Sequence, residues 1–354
     1  MSLGLPSISV KFIQEGMSAI KRGERGIVGM IIKEENVINP PIISDKNDIP
    51  ELIKDRNKNL IKNALIGNTN APLNLKLYVI SGELTLTDAL NYFENIKFDY
   101  LCYPDAEELD KTAIVTWIKN QREQGNMVKA VLANKDADYE GIINVTQDGV
   151  VVGEKTYTAG ELTARVAGLI AGTDLRISTT YASLPEVDSI PFESRSDTEF
   201  KVGNGEFVLF REAGKVKVAR GVNSLTTVSQ TKGTLFQKIK TCEIMDIISN
   251  DIRATARDNY LGKYSNSYDN KCLLISAIQE YMDKLVIDGL IEKNSAVVEI
   301  DIDAQRNFLK SIGTDVTKMS EEQIKKANTE DKVFIRVTCK LLDAIESISI
   351  KCYI

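Results

Sequence analysis

The chain has 354 residues, enough for two or three domains and a sizeable core. Its 43% hydrophobic and 27% charged residues are ordinary for a globular protein, and 44 basic against 50 acidic side chains give −6, which argues against a general nucleic-acid binder. Histidine is absent, which removes Ser-His-Asp and Cys-His catalysis, histidine metal ligands and the commonest general base.

The first ten residues lack a basic start followed by a long apolar run, and the apolar run at 27–32 is too short to cross a bilayer. A cytosolic product without a membrane anchor of its own is expected. Five cysteines (Cys102, Cys242, Cys272, Cys339 and Cys352) form no C-x-x-C pair, so small buried hydrophobes are expected rather than a disulfide or zinc framework.

In chain order, Ile8, Val10 and Phe12 alternate with Ser9 and Lys11, which predicts a half-buried strand. A basic, glycine-punctuated stretch follows, then a second strand at 27–32 and a polar segment with a helix near 57–66. From Leu73 the pattern is α/β: strands at 75–80, 100–103, 128–133 and 141–145, with helices at 85–93, 112–123 and 158–171. Thr85 with Asp88, and Thr158 with Glu161, have capping-box spacing. Ala164, Ala167, Gly168 and Ala171 make the last helix small enough to press on a sheet. The alternation predicts a largely parallel sheet with helices on its faces.

Residues 206–210 and 216–219 read as a hairpin. Helices are expected at 235–258 and 272–290, a strand at 297–303 with Asp303 capping a helix, and a short helix capped by Ser320 with Gln323. The chain closes on two alternating strands. Val333, Ile335 and Val337 share a face of 333–341; Ile348, Ile350 and Cys352 share a face of 348–354. Terminal strands leave unpaired backbone groups that need partners. Two readings stay open: the ends dock on their own sheet, or they are donated to neighbouring subunits, which builds a ring or an open helix.

Other chemistry finds little support. Asn134, Asp136, Asp138 and Glu140 begin like a calcium loop, but Tyr139 stands where glycine is needed and Val145 where glutamate is needed. Gly203-Asn204-Gly205 lacks a third glycine, a phosphate loop is missing, and S-x-x-K at Ser18 and Ser229 lacks its partner motifs. Trp117 fits a core or interface position inside an amphipathic helix. No cofactor or metal is expected.

Several strings together resemble contractile tail sheath proteins. They are Gly4-Leu5-Pro6-Ser7-Ile8-Ser9-Val10, Ser18-Ala19-Ile20, Arg25-Gly26-Ile27-Val28, Ala137-Asp138-Tyr139-Glu140-Gly141-Ile142-Ile143-Asn144-Val145, Val166-Ala167-Gly168-Leu169-Ile170-Ala171-Gly172, Arg220-Gly221-Val222-Asn223-Ser224-Leu225-Thr226-Thr227, Tyr260-Leu261-Gly262-Lys263-Tyr264-Ser265-Asn266 and Leu342-Asp343-Ala344-Ile345-Glu346. They run in order along nearly the whole chain. The kin they suggest are short sheaths of Gram-positive phages and of R-type bacteriocins such as diffocins.

The resemblance implies an α/β (α+β overall) chain: a subtilisin-like α/β middle domain without protease use, an α+β C-terminal domain, and extended terminal β arms. The corresponding division is an N-terminal strand-exchange arm 1–25, a small N-terminal domain 26–84, the α/β sheath domain 85–231, a tube-facing domain 232–331 and a C-terminal β arm 332–354. Arm exchange maps onto Ile8, Val10, Phe12, Val333, Ile335, Val337, Ile348, Ile350 and Cys352. Tube contact maps onto Arg253, Arg257, Lys271 and Lys284, for which the alternative is a solvated face.

The implied partners are other copies in stacked hexameric rings, a tail tube protein, and baseplate and tail terminator proteins, with no nucleic acid and no membrane anchor. Assembly is expected in the bacterial cytoplasm, into a phage tail or a released tail-like particle. The implied mechanism is a kinetically trapped extended state that converts by near-rigid subunit movement. A shell or tube that never contracts, and a hydrolase using a base such as Lys155 or Glu161, are the rival readings.

Overall fold

Ile27–Lys33 (β1) is a continuous apolar run that ends on a lysine, as a strand buried on both faces should be. In the computed structural model, which describes Ile20, residues 22–36 and residues 40–353, it lies near the middle of a seven-stranded sheet. The expected strand at 8–12 lies outside the described residues.

The elements that follow are Ile42–Ile43 (β2), Asp55–Ala64 (α1), Asn74–Ile80 (β3), Leu86–Glu94 (α2), Tyr100–Cys102 (β4), Glu108–Glu123 (α3), Lys129–Ala133 (β5), Ile142–Val145 (β6), Val150–Val152 (β7), Lys155–Tyr157 (β8), Ala159–Ala171 (α4), Arg195–Gly203 (α5), Glu206–Phe207 (β9), Leu209–Glu212 (β10), Lys215–Val218 (β11) and Ile239–Thr255 (α6). The sheet order is β2-β3-β1-β4-β5-β6-β9. Every neighbouring pair is parallel except β2 with β3.

The two faces of β1 sort the helices. Val28, Met30 and Ile32 belong to a core shared with Leu60, Ile61 and Ala64 of α1 and Ala164, Ala167 and Ile170 of α4. Ile27 and Ile31 belong to a second core with Leu90 and Phe93 of α2 and Ile114 and Ile118 of α3. Strand periodicity thus places helices on both faces of one sheet. Trp117 packs against this second core and stacks on Phe98, ring centroids 6.1 Å apart.

The capping boxes at Thr85 with Asp88 and Thr158 with Glu161 form as the spacing predicts. α3 starts four residues before the expected 112, because Glu107 and Asp110 form a capping box of their own. Residues 26–84 do not stand apart as a small domain: they supply β1, β2 and β3 to the same sheet as β4, β5, β6 and β9, and one compact unit takes in Arg22–Asn250 together with Leu341–Ile354. The β7–β8 hairpin, which turns through Gly153 at φ +58°, and α5 were not read from the sequence.

The other unit includes Asp251–Lys340. α6 runs to Thr255 and ends in a π turn, Ala256–Tyr260. Then come Tyr268–Ile287 (α7), Val297–Ile300 (β12), Ile302–Ser311 (α8), Glu321–Lys326 (α9) and Ile335–Thr338 (β13). β12 and β13 form an antiparallel pair, with Val298 opposite Val337 and Ile300 opposite Ile335. Asp301, not Asp303, caps α8, accepting from the Ala304 amide at 3.0 Å. The capping box of Ser320 and Gln323 starts α9 as expected.

Candidate assembly interface

The candidate site is the set of surfaces and anchors around the C-terminal arm. Residues 342–353 form no strand among the described residues. The apolar members of the expected strand stand in solvent: Ile348 is 79% and Ile350 78% exposed, and Cys352 is exposed.

The root of this arm is held differently. The Glu346 side chain is only 8% exposed. Its Oε1 accepts from Thr180 Oγ1 at 2.7 Å and Ser178 Oγ at 3.1 Å. Its Oε2 accepts from Arg220 Nη2 at 2.9 Å and Nε at 3.1 Å, and Lys238 Nζ lies 3.3 Å away. Lys238 also pairs with Asp343. Burial alone would raise the Glu346 pKa, but the bonds from Thr180 and Arg220, with the charges of Lys238 and Arg220, hold it below the ordinary value.

The loop at 138–142 is sewn to 222–232 in the same manner. Asp138 accepts from the amides of Thr226 and Thr227 at 2.7 and 2.8 Å and from Thr226 Oγ1 at 3.1 Å. Bonds from Thr227 and Thr226 hold its carboxyl well below the usual range. Lys232 donates to both oxygens of Glu140, at 2.7 and 2.8 Å. The run weighed as a calcium loop therefore spends Asp138 and Glu140 on its own chain.

A third cluster lies at the N-terminal end of the parallel strands. Lys129 Nζ is 2.7 Å from Glu243 and 2.8 Å from Asp246, and all three side chains are at most 6% exposed. Arg122 grips Asp246 through both terminal nitrogens, at 2.8 and 2.9 Å. Arg25 reaches Glu243 at 2.9 Å and the Thr173 carbonyl at 2.7 Å, and Tyr100 donates to Glu243 at 2.5 Å. Burial would raise the Glu243 pKa, but Lys129 and Arg25 bring it down to about 2. Fully paired in this way, the buried charges fasten the first half of α6 to β4 and β5.

Two family models match the chain: the phage tail sheath protein central domain over residues 81–224, and the phage tail sheath C-terminal domain over residues 231–354. The chain belongs to the phage tail sheath family. It is 42% identical over 354 residues to the tail sheath protein of Clostridium phage phiCD119, covering 98% of this chain and 99% of that one. Among solved structures, the sheath tail protein of Desulfitobacterium hafniense aligns with a TM-score of 0.71 at 22% identity, over 83% of this chain and 94% of that chain. The anti-feeding prophage helical sheath in its contracted state aligns with a TM-score of 0.72 at 13% identity, over 99% of each chain.

Within this sheath chain the sequence-named residues separate into groups. Ile8, Val10 and Phe12 lie outside the described residues. Ile335 and Val337 pair at home in β13, with Val333 just before it 41% exposed. Ile348, Ile350 and Cys352 stay in the unpaired arm. Arg253, Arg257 and Lys284 are exposed; Arg257 meets Asp258 at 3.0 Å, and Lys284 meets Glu280 one turn back at 2.7 Å.

Lys271 requires a correction. It is 2% exposed, and its ammonium lies 2.8 Å from Thr329 Oγ1, so it presents no charge to an outside partner. The signal was available: Lys271, Ile278 and Leu285 recur at seven-residue spacing on the buried face of α7. The Glu346 anchor was missed because its partners come from segments 108 to 168 residues away.

Proposed function

We propose that this chain is a structural, non-catalytic subunit that polymerises in hexameric rings around a tail tube and contracts to drive the tube through a target envelope. Its partners are other copies of itself, the tube protein, and baseplate and tail terminator proteins, with assembly in the bacterial cytoplasm. The observation that carries this reading is the C-terminal arm. An alternating strand pattern at 348–354 has no strand partner among the described residues, and it leaves Ile348 and Ile350 almost wholly in solvent. Such a segment is completed when it adds to the edge of a sheet in another subunit, because the added strand gains backbone bonds and side-chain contacts together. β12 and β13 supply a two-stranded acceptor, since among the described residues each pairs only with the other.

Donation from one copy to the next is heterologous and propagates as a ring or helix. The exposed cations Arg253, Arg257 and Lys284 are proposed to face acidic groups on the tube. Contraction then moves subunits as near-rigid bodies while the exchanged strands keep the lattice connected. The likeness to the anti-feeding prophage sheath supports this reading at the level of fold.

Deleting 348–354 tests it. The truncated protein should stay folded and fail to form tubular polymers in negative-stain micrographs. Normal tubes from the truncation overturn the exchange reading. Two tubular forms of different diameter from the intact protein separate a contracting sheath from a static shell.

A further inference from the structure

The chain leaves β13 at Thr338, and from Leu341 onward its compact packing is with the α/β unit. Residues 342–353 hold no helix or strand that would fix their course. A chain of that kind sweeps many directions, and ordering it on binding carries an entropic cost. Within this segment one buried carboxylate is an exception. Glu346 is held by four side chains from three segments: Ser178 and Thr180 in the loop after α4, Arg220 after β11, and Lys238 just before α6. Its acceptors are filled from both sides, two hydroxyls on one oxygen and a guanidinium on the other.

The receiving groups are themselves fixed. Thr180 Oγ1 accepts from the Gly221 amide at 3.0 Å, the Thr180 amide donates to Ser178 Oγ at 3.1 Å, and Val222 bridges to Lys238. Asp343, three residues earlier in the chain, adds a second attachment to Lys238. Next to this anchor the side chains change character: Ile345 is 86% exposed and Ile348 79%.

We propose that Glu346, assisted by Asp343, is a positioning clamp that fixes the point and direction at which the C-terminal arm leaves the α/β unit, so that 348–354 is held ready to pair with a neighbouring subunit. The hinge of the arm then lies at Ser347, beyond the clamp, and not at the exit from β13. This inference rests on the reading of 348–354 as an exchanged strand. Glu346 acts through Ser347 and does not itself meet the neighbour.

The test uses the full chain in its unassembled form. Nitroxide labels at Ile345→Cys, an exposed position beside the clamp and before the hinge, and at Phe192→Cys, an exposed position on the same unit, are placed in a Cys272→Ser, Cys339→Ser, Cys352→Ser background. Pulsed spin–spin distance measurement should give one narrow distribution with Glu346 intact. Glu346→Ala should broaden it, and Arg220→Ala, which removes the guanidinium from the other side, should broaden it as well. Sheath assembly followed by light scattering should slow about tenfold in both variants, the factor expected when one or two side chains must be ordered anew on binding. A distribution that stays narrow in both variants, or one already broad with Glu346 intact, overturns the clamp. If one variant does not fold, the other decides. The 348–354 deletion keeps the two ideas separable. Tubes formed without the arm remove strand exchange but leave the distance result standing. Loss of tubes on deletion, with unchanged distances and assembly rate in Glu346→Ala, removes the clamp alone.

Discussion

Lys129 at the start of β5 and Glu243 on α6 meet at 2.7 Å with neither side chain more than 5% exposed. Lys129 is the charge that most offsets the burial of Glu243, while Lys129 itself is offset by both Asp246 and Glu243. Glu243 is shared with Arg25 and Tyr100, and Lys129 with Asp246. Removing one partner of a buried pair leaves the remaining charge unsolvated, which costs about 3–5 kcal/mol. Glu243→Gln keeps the shape and a hydrogen-bond acceptor for Tyr100, but it takes the carboxylate from Arg25 and leaves Lys129 to share Asp246 with Arg122. It should lower stability by about 3 kcal/mol, read as a lower urea midpoint at unchanged slope. The pH dependence has a definite sign. A carboxyl brought from 4.5 down to about 2 stabilises the fold above the higher value and loses that contribution as pH falls toward the lower one. The intact protein should weaken across that interval, and Glu243→Gln should lack this part of the slope.

Gly168 sets the closest approach between α4 and α1. A Cβ placed there would lie 1.8 Å from the Ala64 carbonyl oxygen, which is backbone and cannot rotate away. Gly168→Ala must separate the two helices, so it should destabilise by about 3 kcal/mol, the upper end of the usual overpacking range. A Cβ on Gly203, the last residue of α5, would meet nothing within 4 Å among the described residues. Gly203→Ala should change the thermal midpoint little or raise it slightly, because alanine loses less chain entropy there. Equal effects from the two substitutions would show that helix contact is not what Gly168 serves.

What could be read in advance follows from the range of each interaction. β1 was legible because its apolar run is continuous, and α2, α4 and α9 because their caps lie three residues from their partners. The small face of α4 was legible too, although at Gly168 it meets a helix where a sheet was expected. The membership of 26–84 in the central sheet was not legible: parallel pairing of β1 with both β3 and β4 is fixed by burial on both faces, and no local pattern records it. The Glu346 anchor shows the same limit. Arg220 and Glu346 both lie in strings that signalled the family, yet their contact spans 126 residues and exists only in the folded chain.

Lys271 offers the opposite case to Glu243, a buried cation that meets no carboxylate among the described residues. Its ammonium meets Thr329 Oγ1 at 2.8 Å and the Ala327 carbonyl at 3.5 Å, and burial pushes its pKa down. A lysine whose folded pKa lies below its unfolded value of 10.5 binds its proton less well in the native state. The unfolded chain therefore holds more protons between the two values, and stability should rise as pH climbs through that interval. Lys271→Met removes the desolvated charge while keeping an unbranched side chain on the buried face of α7. Thr329 Oγ1 is not orphaned, because it donates to the Lys332 carbonyl at 2.5 Å and accepts from Asn266 at 3.1 Å. Lys271→Met should then match or exceed the parent in thermal midpoint at pH 7, and the alkaline rise should disappear. A variant clearly less stable at pH 7 would mean the ammonium is a net stabiliser of this unit, held by its oxygen contacts more strongly than burial opposes it, and a rise that persisted without Lys271 would belong to another group.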